Sequence, residues 1–209
     1  TSADSTFALG ASVPIGGDGG SGSWGQTVQG SISGVIQTTG DSSIGFFAQS
    51  VGGGGGAGAS VTNSTTASGS SNLQASTSVA MGGAGGTGGS GGQVNFLVPN
   101  KLTISTGGGT AANASTSIGS SGADAAGAGA HGLLLQSVGG GGGQSGSVLS
   151  SNVATSSSNS SFSLGASGAL TRDGGNGGSA STVTLGNTGQ LADLAIQTGG
   201  DGAYGIFLQ

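Results

Sequence analysis

The reactive side chains in this sequence are few: one histidine, seven aspartates, two cations and a large number of hydroxyls. A histidine can act as a general base near neutral pH. His131 is the only one, and it stands where Ile44 and Tyr204 stand in two segments that align with its own. A position that reads Ile, His and Tyr is a surface spot rather than a catalytic one. The carboxylates are Asp4, Asp18, Asp41, Asp124, Asp173, Asp193 and Asp201, with no glutamate. Paired acids could perform acid–base chemistry, and oxygen-rich turns could take a cation. Five of the seven lie beside a glycine or one residue from it, the setting in which Asp bonds its own backbone as an Asx-turn. Asp18 and Asp173 are equivalent in an internal repeat, as are Asp41 and Asp201, which favours a turn role.

The remaining motifs carry little chemistry. Calcium-loaded β-rolls use Asp about every nine residues over many repeats, whereas here the Asp residues are irregularly spaced and most lie tens apart. There is no His/Cys cluster with metal-ligand spacing. "GGSGG" fits a nucleophile-elbow pattern only by its glycines, with no helix or acid to support it. The sequons at Asn63, Asn113 and Asn159 are expected by chance at this Ser/Thr content. Phe46, Phe47, Phe96, Phe162 and Phe207 read as packing residues. Trp24, beside "GSGS", either caps an interface or sits exposed. The sequence therefore assigns no catalytic, cofactor-binding or metal-binding residue, and the chain reads as a non-enzyme.

Composition narrows the class. Of 209 residues, 52 are glycine and 4% are charged, with a net charge of −5 and no cysteine. Leu, Ile, Val and Phe make fewer than one residue in five, which warns of disorder when charge is high. Charge is low here, so an extended fold that needs little apolar filling fits better. Two cations cannot neutralise a phosphate backbone or hold an anionic membrane surface. No apolar run approaches the roughly 20 residues of a transmembrane helix. Absent cysteine suits a chain exported unfolded, without excluding any compartment.

The elements that must position these residues recur in a fixed order. "GDSSIGFFAQSVGGGGG" from Gly40, "GAGAHGLLLQSVGGGGG" from Gly127 and "GDGAYGIFLQ" from Gly200 align, superposing Gly45, Gly132 and Gly205, and Gln49, Gln136 and Gln209. "FALGASVPIGGDGGSG" from Phe7 matches "FSLGASGALTRDGGNG" from Phe162 without a gap, and "VAMGGAGGTGGSGG" from Val79 is a looser middle copy. Period-2 alternation in "SVTNSTTAS", "NLQASTSVAM" and "KLTIST" predicts strands. Repeated strands with Gly-rich turns predict an all-β fold, a right-handed parallel β-helix or β-solenoid. Approximate repeats are 1–78, 79–160 and 161–209. The third copy stops where its poly-Gly should begin, so the chain is expected to be one solenoid fragment of a longer array.

Three uses for the glycines compete: a flexible linker, tight geometry that only glycine can meet (a turn, or a run lying flat against a neighbouring backbone where any Cβ would clash), and polyglycine-II packing. "GGAGGTGGSGG" (Gly82–Gly92) keeps a strict three-residue period, matching that helix. The expectation is a mixture of the last two. Gly-rich runs would frame an excursion of about 30 residues that runs out and back as paired Ser/Thr-rich strands and packs on the solenoid's side. Gln49, Gln136 and Gln209 are expected to form a ladder inside the stack, although the periodicity leaves their face open.

"TTGDSSIGFFAQSVGGGGG", "SVAMGGAGGTGGSGG" and "GDGAYGIF" resemble the Gly-rich tandem repeats in the passenger regions of large bacterial autotransporters. The resemblance spans nearly the whole chain and departs most at "TAANASTSIGSSGADA" (Thr110–Ala125). It implies a surface-displayed or secreted β-helix with roles in adhesion, aggregation or biofilm matrix, without catalysis or cofactor. Expected partners are other copies, end to end or side by side, and a host or matrix surface ligand. The competing reading is a secreted ice-binding or matrix-forming solenoid without a membrane anchor. A lyase-type β-helix enzyme would need clustered acids and bases that this sequence lacks.

Overall fold

The structure is a computed structural model, and it describes residues 7–69, 73–107, 129–156, 162–186, 194–199 and 202–209. Every regular element in them is a strand. The first pass of the chain makes β1 (Phe7–Ser12), β2 (Val28–Ser31), β3 (Gly34–Gln37), β4 (Phe46–Val51) and β5 (Val61–Gly69). The second makes β6 (Leu73–Met81), β7 (Val94–Leu97), β8 (Leu102–Thr106), β9 (Leu133–Val138) and β10 (Val148–Ser156). The third makes β11 (Phe162–Leu170), β12 (Val183–Leu185), β13 (Leu194–Thr198) and β14 (Ile206–Leu208).

Each strand pairs with its counterpart in the next pass, always in parallel. The sheets are β1–β6–β11, β5–β10, β2–β7–β12, β3–β8–β13 and β4–β9–β14. The chain is thus all-β with parallel strands in stacked sheets, consistent with a β-helix or solenoid. Register follows the sequence motifs. Phe7 and Phe162 both pair with Leu73, and Gln49 pairs with Gln136. Gly45 is required at the entrance to β4, because a side chain there would run into Gly132 O and Ile104.

The described residues form two compact units, and the chain passes from one to the other repeatedly. The first comprises Thr1–Ser23, Gly53–Gly89 and Gly140–Gly178. It contains the β1–β6–β11 and β5–β10 sheets. Between them lies a polar interior. Asn63 Nδ2 donates to Ser78 Oγ (2.7 Å), Ser12 Oγ donates to Asn63 Oδ1 (3.0 Å), and the Ser78 and Ser150 hydroxyls share a 2.6 Å hydrogen bond. Asn152 Nδ2 donates to Ser76 O and Ala166 O, while Ser76 Oγ donates to Asn152 Oδ1. Ala67, Ala80 and Val61 fill the remainder. A buried polar group is tolerable when it is hydrogen-bonded, and the two asparagines bond across from one sheet to the other. The expected out-and-back ribbon does not form. β5 and β6 follow one another in the chain, yet they join different sheets and pair only between passes.

Most of the glycine-rich residues fall in this unit, and they are neither linkers nor turns. Gly16, Gly19 and Gly22 donate their N–H groups to Met81, Ala84 and Thr87 O, and Gly82, Gly85 and Gly88 donate to Leu170, Asp173 and Asn176 O. The segments after β4 and β9 pair likewise, Gly55 N–H to Gly141 O. A second set runs between the two layers. Gly56 donates to Gly20 O, Gly86 to Gly56 O, Gly143 to Gly86 O and Gly175 to Gly143 O, all at 2.7–2.8 Å. In the triplets of Gly82–Gly89, and of the segment after β4, one amide donates within its layer, the next donates across, and the third residue points outward. This is the three-residue period of a polyglycine-II lattice.

Lattice position explains how strict the sequence is. Gly82–Gly92 is the middle segment of its layer, and a methyl group at Gly86 would overlap the Gly20 carbonyl. At Gly17, Gly20 and Gly141 nothing lies within 4 Å of such a group. The flanking segments are accordingly looser, with Ser23 and Gln26 in one and Thr171 and Arg172 in the other.

The second unit comprises Trp24–Gly52, Ser90–Gly139 and Ser179–Gln209. Its three sheets enclose an apolar core that includes Ile32, Val94, Phe96, Val98, Leu102, Ile104, Leu133 and Leu135. Phe46 meets Phe96 edge-on at 5.0 Å between centroids, a favourable aromatic geometry. The rows Ile36–Ile104–Ile196 and Val28–Val94–Val183 stack pass on pass. β8 is buried on both faces, with Thr103, Ser105 and Thr106 as well as Leu102 and Ile104 withdrawn from solvent.

Candidate interaction surface

The seryl position of the "QSVGGGGG" motif joins strand to lattice. Ser50 Oγ donates to Gln26 O (2.7 Å) and accepts from Gly92 N–H (2.9 Å). Its counterpart, Ser137 Oγ, accepts from Ser181 N–H (2.8 Å). Both serines are buried. Because side chains alternate along a strand, burying Ser50 and Ala48 sends Phe47, Gln49 and Val51 to the outer face of the β4–β9–β14 sheet.

That outer face carries aligned rows. Gln49 Nε2 donates to Gln136 Oε1 (3.0 Å), and Gln136 Nε2 donates to Gln209 Oε1 (3.2 Å). The glutamine ladder therefore exists, but on the exposed side of the sheet rather than inside it. The interior positions belong to Phe46, Ala48 and Leu135, which the core needs. Beside the ladder runs the row Phe47–Leu134–Phe207. At its end the His131 and Tyr204 rings stack at 5.4 Å and an interplanar angle of 27°, and Tyr204 lies 5.6 Å from Phe207. Tyr204 N–H donates to His131 Nδ1 (3.1 Å), which fixes that nitrogen as the acceptor. Tyr204 is 55% exposed and Phe47 49%.

The other singled-out residues lie elsewhere. Asp18 does not close a turn on itself. Its Oδ1 accepts from Ala84 N–H of the next pass (2.8 Å) and from Arg172 Nη1 of the third (2.7 Å), in an exposed ion pair. Asp4, Asp124, Asp193, Asp201, Asn113, Asn159 and Thr110–Ala125 lie outside the described residues. Asn63, the one sequon asparagine described, points into the polar interior and is withdrawn from solvent. Phe46 and Phe96 pack in the core, whereas Phe162 is exposed on the outside of β11, and Trp24 is exposed. Among the described residues no three His, Cys, Asp or Glu side chains come together, and no helix is long and apolar enough to cross a membrane. Comparison with models of protein families, with curated proteins and with solved structures returns no match.

Sequence reasoning missed the cross-sheet asparagines. The signal was present, since Asn63 and Asn152 both sit mid-strand among alternating Ser and Thr. It carries no apolar contrast, however, so periodicity alone does not say which face turns inward.

Proposed function

We propose that the chain is a non-catalytic structural and adhesive repeat segment, displayed outside a bacterial cell as part of an autotransporter passenger or fibre. On this reading its sheets wind as a right-handed solenoid. The observation that carries it is the pass-on-pass pairing in matched register. A chain built this way lengthens by adding passes, and each added pass extends the same rows of side chains. Open strand edges then favour association of copies end to end, and the repeated outer faces suit a surface ligand.

The test is attachment. Beads coated with the 209-residue chain are expected to bind one another and a biofilm matrix more than beads coated with an inert protein. Equal attachment overturns the adhesive reading. The gene beyond Gln209 tests the export route. About ten-residue alternating segments, the signature of an outer-membrane barrel, support an autotransporter, and their absence supports a secreted fibre.

One observation favours the ice-binding alternative. Some outward triplet positions of the glycine lattice carry short hydroxyl side chains, as Ser21 beside Thr87, whose hydroxyls meet at 3.2 Å. Thermal hysteresis in a solution of the chain supports that reading, and plain colligative freezing removes it.

A further inference from the structure

We propose that the outer face of the β4–β9–β14 sheet is a binding platform for a neutral glycan, built from the glutamine ladder and the His131–Tyr204–Phe207 aromatic cluster. The proposal rests on the adhesive reading and names its ligand class.

The chemistry of the face selects the ligand. Its rows contain amides, aromatic rings and aliphatic side chains, with no Asp, Lys or Arg. A phosphate polymer or an acidic glycan would find no cation there. A sugar ring has an apolar C–H face and a rim of hydroxyls. The first stacks on an exposed aromatic ring, and the second bonds to side-chain amides. Tyr204 presents such a ring, held by the His131 stack behind it and by its own N–H bond to His131. Each ladder bond uses one amide hydrogen and one carbonyl lone pair, so Gln136 keeps one N–H and one lone pair for a ligand.

The ladder also lowers the cost of binding. Glutamine side chains normally lose rotamer freedom when they engage a ligand, but these are already held in line. The rows repeat at the interstrand spacing of about 4.8 Å, close to the length of one pyranose ring. A regular, uncharged face of this kind suits an extended chain of sugar rings better than a folded protein, which would seek a pocketed apolar anchor.

The experiment titrates the 209-residue chain with cellohexaose and, separately, with the N-acetylglucosamine hexamer, following side-chain amide and aromatic resonances by NMR. Shifts confined to Gln49, Gln136, Gln209, Tyr204 and His131 are expected with at least one probe. Tyr204→Ala should weaken binding about threefold to tenfold. Trp24→Ala, which removes an exposed aromatic outside the three strands of this face, should leave binding unchanged. Circular dichroism checks that both variants fold, and Tyr204→Phe, which keeps the ring, should restore affinity. No shift with either glycan at millimolar concentration overturns the proposal, as does binding abolished by Trp24→Ala and untouched by Tyr204→Ala. The bead assay separates the two readings. Wild-type and Tyr204→Ala beads that attach equally well remove the platform and leave adhesion. Beads that never attach, on a chain that still binds cellohexaose, remove adhesion and leave the platform.

Discussion

Gly86 and Gly141 are both glycines in a Gly-rich run, yet they answer different demands. Gly86 faces the Gly20 carbonyl with no room for a methyl group, and Gly141 faces open space. Gly86→Ala is expected to cost about 1–3 kcal/mol, the usual range for overpacking. Gly141→Ala is expected to be neutral or slightly stabilising, because it removes backbone freedom from the unfolded chain. Urea denaturation of the two variants checks the pair, and equal costs would refute the lattice. A second residue-scale prediction concerns Thr65, whose buried hydroxyl has no hydrogen-bond partner among the described residues. Thr65→Val keeps the shape and removes the unsatisfied group, so stability should rise by about 1 kcal/mol. The Arg172–Asp18 pair is half exposed at both ends, and Arg172→Ala should cost less than about 1 kcal/mol.

At the scale of elements, the glycine segments predict a distinctive exchange pattern. The amides of Gly85, Gly86, Gly88 and Gly89 donate within the lattice, and that of Thr87 between them does not. Hydrogen exchange should therefore be fast at Thr87 and slow at the two amides on either side of it. Uniformly fast exchange would restore the linker reading. Elements also show how far the sequence could be read. The ungapped match of the Phe7 and Phe162 segments is the register of the β1–β6–β11 sheet, because parallel pairing between passes stacks equivalent residues. The superposed Gln49, Gln136 and Gln209 likewise form a ladder. Its face was not legible, because the run "GFFAQS" is apolar on both sides and only the packing of Phe46 and Ala48 decides. The partners of β5 and β6 were not legible either. Their inward residues are mostly polar, Asn63, Thr65, Gln74, Ser76 and Ser78 against Val61, Ala67 and Ala80, so the hydrophobic-inside rule had little to act on. The aromatic cluster draws its members from separate passes, and the sequence shows only that Ile44, His131 and Tyr204 share a position.

For the whole molecule, the decisive fact is sequence separation. Phe7 and Leu73 are paired neighbours, as are Gln49 and Gln136, and neither compact unit is continuous in the chain. Loop closure must precede nearly every native pairing, so refolding should be slow for a chain of this size, on the order of seconds rather than microseconds. Stopped-flow dilution from urea measures this, and a microsecond phase recovering the full signal would contradict it. Slow pairing of parallel strands leaves edges open for long periods, which is compatible with a segment whose proposed role includes self-association.

The glycine lattice and the hydroxyl-lined interior of the first unit have a thermal consequence. Heat capacity rises on unfolding because apolar surface meets water, and exposed polar surface lowers it. A unit held by backbone amides and by Asn and Ser side chains has little apolar surface to release. Its heat-capacity change per residue should fall below the usual 12–15 cal/mol/K, about half of that or less. The stability curve of that unit is then broad and shallow, and cooling removes little of what holds it, since the force that fades in the cold contributes least there. Calorimetry should find this portion of the chain folded far below the temperatures at which an oil-cored domain of equal stability begins to loosen.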